Sequence, residues 1–91
     1  LYYWGAEVNV VCPCGSSECF WVRGTPEVLA RLRTFVAQET SGPYQPVHLH
    51  YRGVLLDEPA TGFAADYQGY QEISEVLTIS VTLPADCPPP A

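Results

Sequence analysis

The stretch "VCPCGSSECFWV", residues 11–22, holds three of the four cysteines of this 91-residue chain. Its reading decides the fold. Leading into it, Ala6, Val8, Val10 and Cys12 alternate with Glu7, Asn9 and Val11, the pattern of a half-buried strand. Pro13-Cys14-Gly15-Ser16-Ser17 is a cluster of turn formers. Cys19-Phe20-Trp21-Val22-Arg23 then resumes as a strand, so a hairpin with a loop of several residues is expected.

Downstream, Gly24 ends the strand and Thr25, Pro26 and Glu27 make a helix start: a capping hydroxyl, a proline at the first helical position, and an acid at the positive end of the dipole. Val28, Leu29, Leu32, Phe35 and Val36 recur at helical spacing as one apolar stripe, with Arg31 and Arg33 off it. Thr40-Ser41-Gly42-Pro43 stops the helix. Val47, Leu49 and Tyr51 alternate with His48, His50 and Arg52, predicting a third strand; Gly53 marks a bulge or bend, after which Val54 and Leu56 become the apolar set. Asp57-Glu58-Pro59 turns the chain, residues 62–67 read as a short fourth strand, and Ile73, Leu77, Ile79 and Val81 lie in a last, long strand that alternates after Glu75. The expected order is β-β-α-β-β-β in a single domain over residues 1–91, with 84–91 an extended proline-rich tail. Mainly β with one α-helix, five strands and glycine bends suggest a five-stranded OB-like barrel; a sheet with one helix packed across it is the alternative, and periodicity does not separate the two.

A chain of this length buries roughly 60–65% of the surface its unfolded form exposes, a thin core. Four cysteines, with no methionine and no lysine, favour an oxidising compartment. Three disulfide connectivities are open. Cys12 and Cys19 sit at the shoulders of the expected hairpin, where a cross-strand bond contributes about 2.5 kcal/mol by loop entropy. Cys14 would then pair with Cys87, closing nearly the whole chain for about 4.5 kcal/mol and fastening the tail. Against this stands a metal reading. Cys12-Pro13-Cys14 is a C-x-C pair, Cys19 adds a third thiolate, and His48-Leu49-His50 offers two imidazoles, a set suited to copper or zinc. The spacing fits no common zinc ribbon or finger, and strand-face histidines are commonly just solvated. A redox-active C-x-C lacks a neighbouring cation: Glu18 has the wrong sign.

The net charge of −6, ten acids against four arginines, repels phosphate backbones and gives an anionic membrane nothing to hold, so nucleic acid is a poor partner. No apolar run is long enough to span a bilayer. Leu1-Tyr2-Tyr3-Trp4 has neither a basic flank nor a signal core, and a signal or lipid anchor upstream is compatible with that start. No nucleophile, base and acid converge in the pattern, and the acids read as a solvated rim, so no enzyme and no cofactor are expected. Aromatics are in surplus. Trp4, Trp21 and the strand bearing His48, His50 and Arg52 form the expected contact surface, since exposed aromatic side chains anchor protein or sugar contacts.

Three short runs, "CGSSECFWV" (residues 14–22), "PVHLHYRGVL" (46–55) and "PADCPP" (84–89), together with the element order, resemble the C-terminal OB domain of NlpE-like bacterial envelope lipoproteins. The resemblance implies a protein of the periplasm or outer membrane, exported and lipid-anchored, that binds an envelope protein or cell-wall component. Its relatives are linked to copper handling and envelope stress signalling. By the matching positions Cys14 and Cys87 would be the family disulfide, and Cys12 with Cys19 a private second one. The N-terminal barrel of such proteins, with its C-x-x-C, has no counterpart in this sequence, and its roles are not carried over.

Overall fold

A computed structural model describes residues 1–5, 8–42, 44–56, 58, 61–65 and 67–88. Five strands and one long helix follow in the order β1 (Tyr2–Gly5), β2 (Val8–Val11), β3 (Phe20–Gly24), α1 (Pro26–Glu39), β4 (His48–Leu56) and β5 (Tyr70–Ser80). The chain is therefore mainly β with one helix, as expected, but the order is β-β-β-α-β-β. Two local differences produce it. The aromatic segment Tyr2–Gly5 is itself a strand, antiparallel to β2. The described residues of the expected strand over 62–67 do not form one: Gly62, at φ +60, opens a short 3₁₀ turn to Ala64, whose hydrogen bonds run from Ala64 N–H to Thr61 and from Ala65 N–H to Gly62. A left-handed glycine at the start of an apolar run starts a turn, not a ladder.

The strands form one sheet in the order β1-β2-β3-β5-β4. Of the described strand pairs, β3 and β5 run parallel, with α1 and β4 between them in the chain, and the others are antiparallel. The hairpin of β2 and β3 has the expected place, with Val10 opposite Trp21 and Val11 opposite Phe20. Its first arm departs from expectation. Val10 and Val11 are 4% and 2% exposed, so β2 is covered on both faces rather than one; Ala6 and Glu7 lie outside the described residues.

The sheet is not closed into a barrel. Among the described residues its two edges meet at one bridge, where Tyr2 N–H donates to the Val47 carbonyl at 2.8 Å and Val47 N–H returns to Tyr2 at 3.0 Å. Tyr44 N–H adds a bond to the Trp4 carbonyl at 2.9 Å. The Tyr44 ring fills the space that a side chain at position 5 would take, which accounts for glycine there.

The helix forms as its sequence dictates. Thr25 caps it, with its hydroxyl accepting from Val28 N–H at 3.2 Å, Pro26 is the first residue, and Thr40 N–H closes the last turn on Val36. Leu32 and Val36 are buried against Val11, Val22, Val47, Leu49 and Ile73, while Val28, Leu29 and Phe35 flank them half-buried. Pro43, expected in the stop signal, lies outside the described residues.

Strand β5 corrects the expected alternation. Two register shifts against β4, at His50/Tyr51 and Arg52/Gly53, leave Leu77 and Ser74 as extra residues on β5. Each bulge bends the strand and resets which side chains point inward. Ile73 and Val76 are buried and Ile79 half-buried, a spacing of three, while Leu77 and Val81 are exposed. The bend expected at Gly53 coincides with the second shift, but Val54 and Leu55 beyond it are exposed and Leu56 only half-buried. Asp57, Pro59 and Asp66 fall outside the described residues, as do residues 89–91 of the tail.

The bridge residue Tyr2 makes the fold sensitive to alkali. Burial pushes its phenol well above the ordinary value, against a smaller opposing effect of Arg33, and its hydroxyl donates to Asn9 Oδ1. A raised tyrosine pKa stabilises the fold fully below the unfolded value of about 10, and that contribution is lost as pH rises past it. Urea titrations at pH 8 and pH 10.5 should show wild type losing more stability across this interval than Tyr2→Phe; equal losses would remove Tyr2 as the cause.

Candidate functional site

The features that set this chain apart lie around its sulfurs. The described cysteines form two disulfides, Cys12–Cys19 and Cys14–Cys87, and none is free. The first joins the two arms of the hairpin next to their last paired residues. The second spans 73 positions and ties the segment after β5 to the hairpin turn. Cys87 is 1% exposed, and its N–H donates to the Pro84 carbonyl at 3.0 Å in a local turn. The turn between the bonds is ordered by its own polar groups. Ser16 N–H reaches Pro13 at 3.0 Å, Ser16 Oγ accepts from Glu18 N–H at 3.0 Å, and Gly15 takes φ +77.

Beside this turn is an open cavity of about 360 Å³, walled by Leu1, Tyr3, Pro88 and the residues of both disulfides except Cys87. His48, at the start of β4, meets the turn at Cys14. Its ring nitrogen and the sulfurs of Cys14 and Cys87 lie within 4.8 Å of one another. Cys14 is exposed, His48 half-buried and Cys87 buried, so the cluster runs from surface to core.

The expected ligand set divides differently in space. Cys12 and Cys19 are bonded to each other and lie outside this cluster, and so does His50, which is exposed on β4. Cys14 and His48 do come together, but with Cys87, the residue the sequence assigned to the staple alone.

The expected contact residues do not form one patch either. Trp4 and Trp21 stand on opposite faces of the sheet, because Trp4 shares its row with Asn9 while Trp21 shares its row with Val10. Trp4 is half-buried against the core. Trp21 tilts against Tyr67 with ring centroids 5.9 Å apart. Next to it on the same face, the Arg23 guanidinium sits 3.9 Å above the Tyr70 ring and pairs with Glu58. A hydrogen bond from Thr61 N–H to the Tyr70 hydroxyl, helped by Arg23, draws that phenol below its ordinary value. Arg52 pairs with Glu75 at 3.2 Å on the exposed surface of β4 and β5. Sequence reasoning missed Tyr67, Tyr70 and Arg23 as one group; the parallel pairing of β3 and β5 that assembles it has no local signal.

No family model, curated protein or solved structure matches this chain. What the coordinates define is a disulfide-bonded, mainly β chain, and two disulfides in so short a sequence point to maturation in an oxidising, exported setting. Among the described residues no helix is long and apolar enough to cross a membrane.

Proposed function

We propose that this chain is a non-catalytic binding module of a bacterial envelope lipoprotein of the NlpE-like kind, built as a partly open OB-like barrel and exposed to the periplasm or held at the outer membrane. The observation that carries the reading is the strand order β1-β2-β3-β5-β4 with a parallel β3–β5 pair, the helix between β3 and β4, and the edges touching at Tyr2–Val47. A small five-stranded sheet that coils until its edges nearly meet is the OB plan, and that plan binds ligands on the face of its second and third strands. In this chain the same face presents the Trp21–Tyr67 pair with Arg23 at its margin, half-buried aromatics beside a cation. Such residues dominate protein contacts. The partner is another envelope protein, and stress sensing would work through the redox state of the long disulfide.

A photo-crosslinking residue in place of Trp21 tests this against a bacterial envelope extract. Discrete protein adducts are expected, lost with Arg23→Glu and absent when the crosslinker replaces exposed Arg33 on the helix. No adduct at position 21, or co-sedimentation with purified cell-wall sacculi in place of adducts, overturns the protein-binding reading.

A further inference from the structure

We infer that reduction of the Cys14–Cys87 bond turns this corner of the molecule into a three-donor site for Cu(I), made of two thiolates and the His48 imidazole. The cluster is the one group of three metal-capable side chains among the described residues, with its donor atoms already within 4.8 Å. Bonds to a bound ion of about 2.0–2.3 Å put ligand atoms roughly 3.3–4 Å apart. The two sulfurs therefore need only part from bonding distance, by side-chain rotation, while His48 stays where it is. Soft thiolates select Cu(I) and zinc. Zinc fills four positions and would need a water for the last, whereas three donors complete a trigonal Cu(I) site.

Each donor is held independently of the bond that is broken. His48 is fixed by pairing with Ser80 and by its neighbour Val47, which is fully buried. Cys14 sits in a turn held by its own polar groups, with Ser16 N–H bonded to the Pro13 carbonyl at 3.0 Å and Glu18 N–H to Ser16 Oγ at 3.0 Å. Cys87 is anchored by its N–H bond to Pro84 and by its own burial. The burial gradient suits the exchange as well: an incoming thiol meets exposed Cys14, and Cys87 is released inward, next to the imidazole.

The chemistry balances simply. A dithiol reductant gives up two electrons and two protons and becomes a disulfide, while Cys14 and Cys87 become thiols. Cu(I) then binds with release of both thiol protons to solvent, and the metal does not change oxidation state. Oxidised protein has no thiolate to offer, so the site exists in one redox state only. This inference does not depend on the binding role proposed above.

Anaerobic Cu(I) titration in competition with a chromophoric chelator tests it, using a Cys12→Ala/Cys19→Ala background so that the only thiols are Cys14 and Cys87. Reduced protein should bind one Cu(I) per chain and oxidised protein none. His48→Asn should weaken binding at least about tenfold, since losing even an outer partner of a ligand costs that much, and Cys87→Ser should weaken it further. His50→Asn, on the same strand but outside the cluster, should leave it unchanged. Equal affinity in the His48 and His50 variants, or no binding by the reduced protein, overturns the site. Should circular dichroism show the background unfolded when reduced, the same histidine comparison in reduced wild type decides, and equal affinities there overturn it.

Discussion

Replacing Cys14 with serine is expected to lower the unfolding free energy by about 4.5 kcal/mol, the loop entropy of a link across 73 positions. Cys14 is the better half of the pair to change. It is exposed, so a serine there loses little, while the thiol left at Cys87 remains buried as a small apolar group. Cys87→Ser would add the cost of burying a hydroxyl and confuse the reading. For a chain of this length total stability is on the order of 5–13 kcal/mol, so the loss is a third or more of it and lowers the melting temperature by roughly 20 °C or more. The denaturant slope gives an independent signature. Without the link the unfolded chain expands and exposes more surface, so the slope should rise as the midpoint falls. Cys12→Ala/Cys19→Ala should cost only about 2.5 kcal/mol, because its loop is short. Urea unfolding of the three proteins checks the order, and a larger loss from the short bond would contradict it.

The different weights of the two bonds also show which parts of the architecture local sequence carries. The helix was fully legible, because Thr25, Pro26 and the Val28-Leu32-Phe35-Val36 stripe are local signals that tertiary packing reinforces. The hairpin was legible for the same reason, and the placement of Cys12 and Cys19 on its shoulders pointed to the pairing that is found. Strand β1 was not: Tyr2 is buried while Tyr3 and Trp4 are half-buried on alternate faces, and a strand covered on both faces loses its period-two pattern. Strand β5 was legible in extent and misleading in orientation. Its apolar residues at 73, 77, 79 and 81 suggested one inward face, but two bulges bring Val76 to the core and leave Leu77 outside. Bulges are set by pairing with β4, which no window along β5 reports. The sulfur–imidazole cluster was half legible. The H-x-H spacing put His48 and His50 on one strand side, yet only the position of Cys87, fixed by a bond spanning most of the chain, separates the one near the sulfurs from the one in solvent.

Leu32→Ala carries the second large effect, expected at about 3 kcal/mol within a range of roughly 2–5. Leu32 is fully buried in the core formed by Tyr2, Val22, Val36 and Ile73, where helix α1 lies across the sheet. Two terms act in opposite directions. Alanine is at least as good a helix former as leucine, so the isolated helix gains slightly. The removed side chain leaves a cavity that a twisted sheet and a single covering helix fill only in part, and the lost contacts outweigh that gain by an order of magnitude. Any measured loss is therefore tertiary packing and not helix propensity. Gln38→Ala, on the exposed side of the same helix, serves as the control and should fall within about 0.5 kcal/mol of wild type. Because the disulfides restrain the unfolded chain equally in both variants, their effect cancels in the difference. Thermal and urea unfolding of the oxidised proteins should agree on the size of the gap. A loss below about 1 kcal/mol for Leu32→Ala would mean that the helix is not seated over the sheet and that the sulfur links, rather than the core, hold the two layers together.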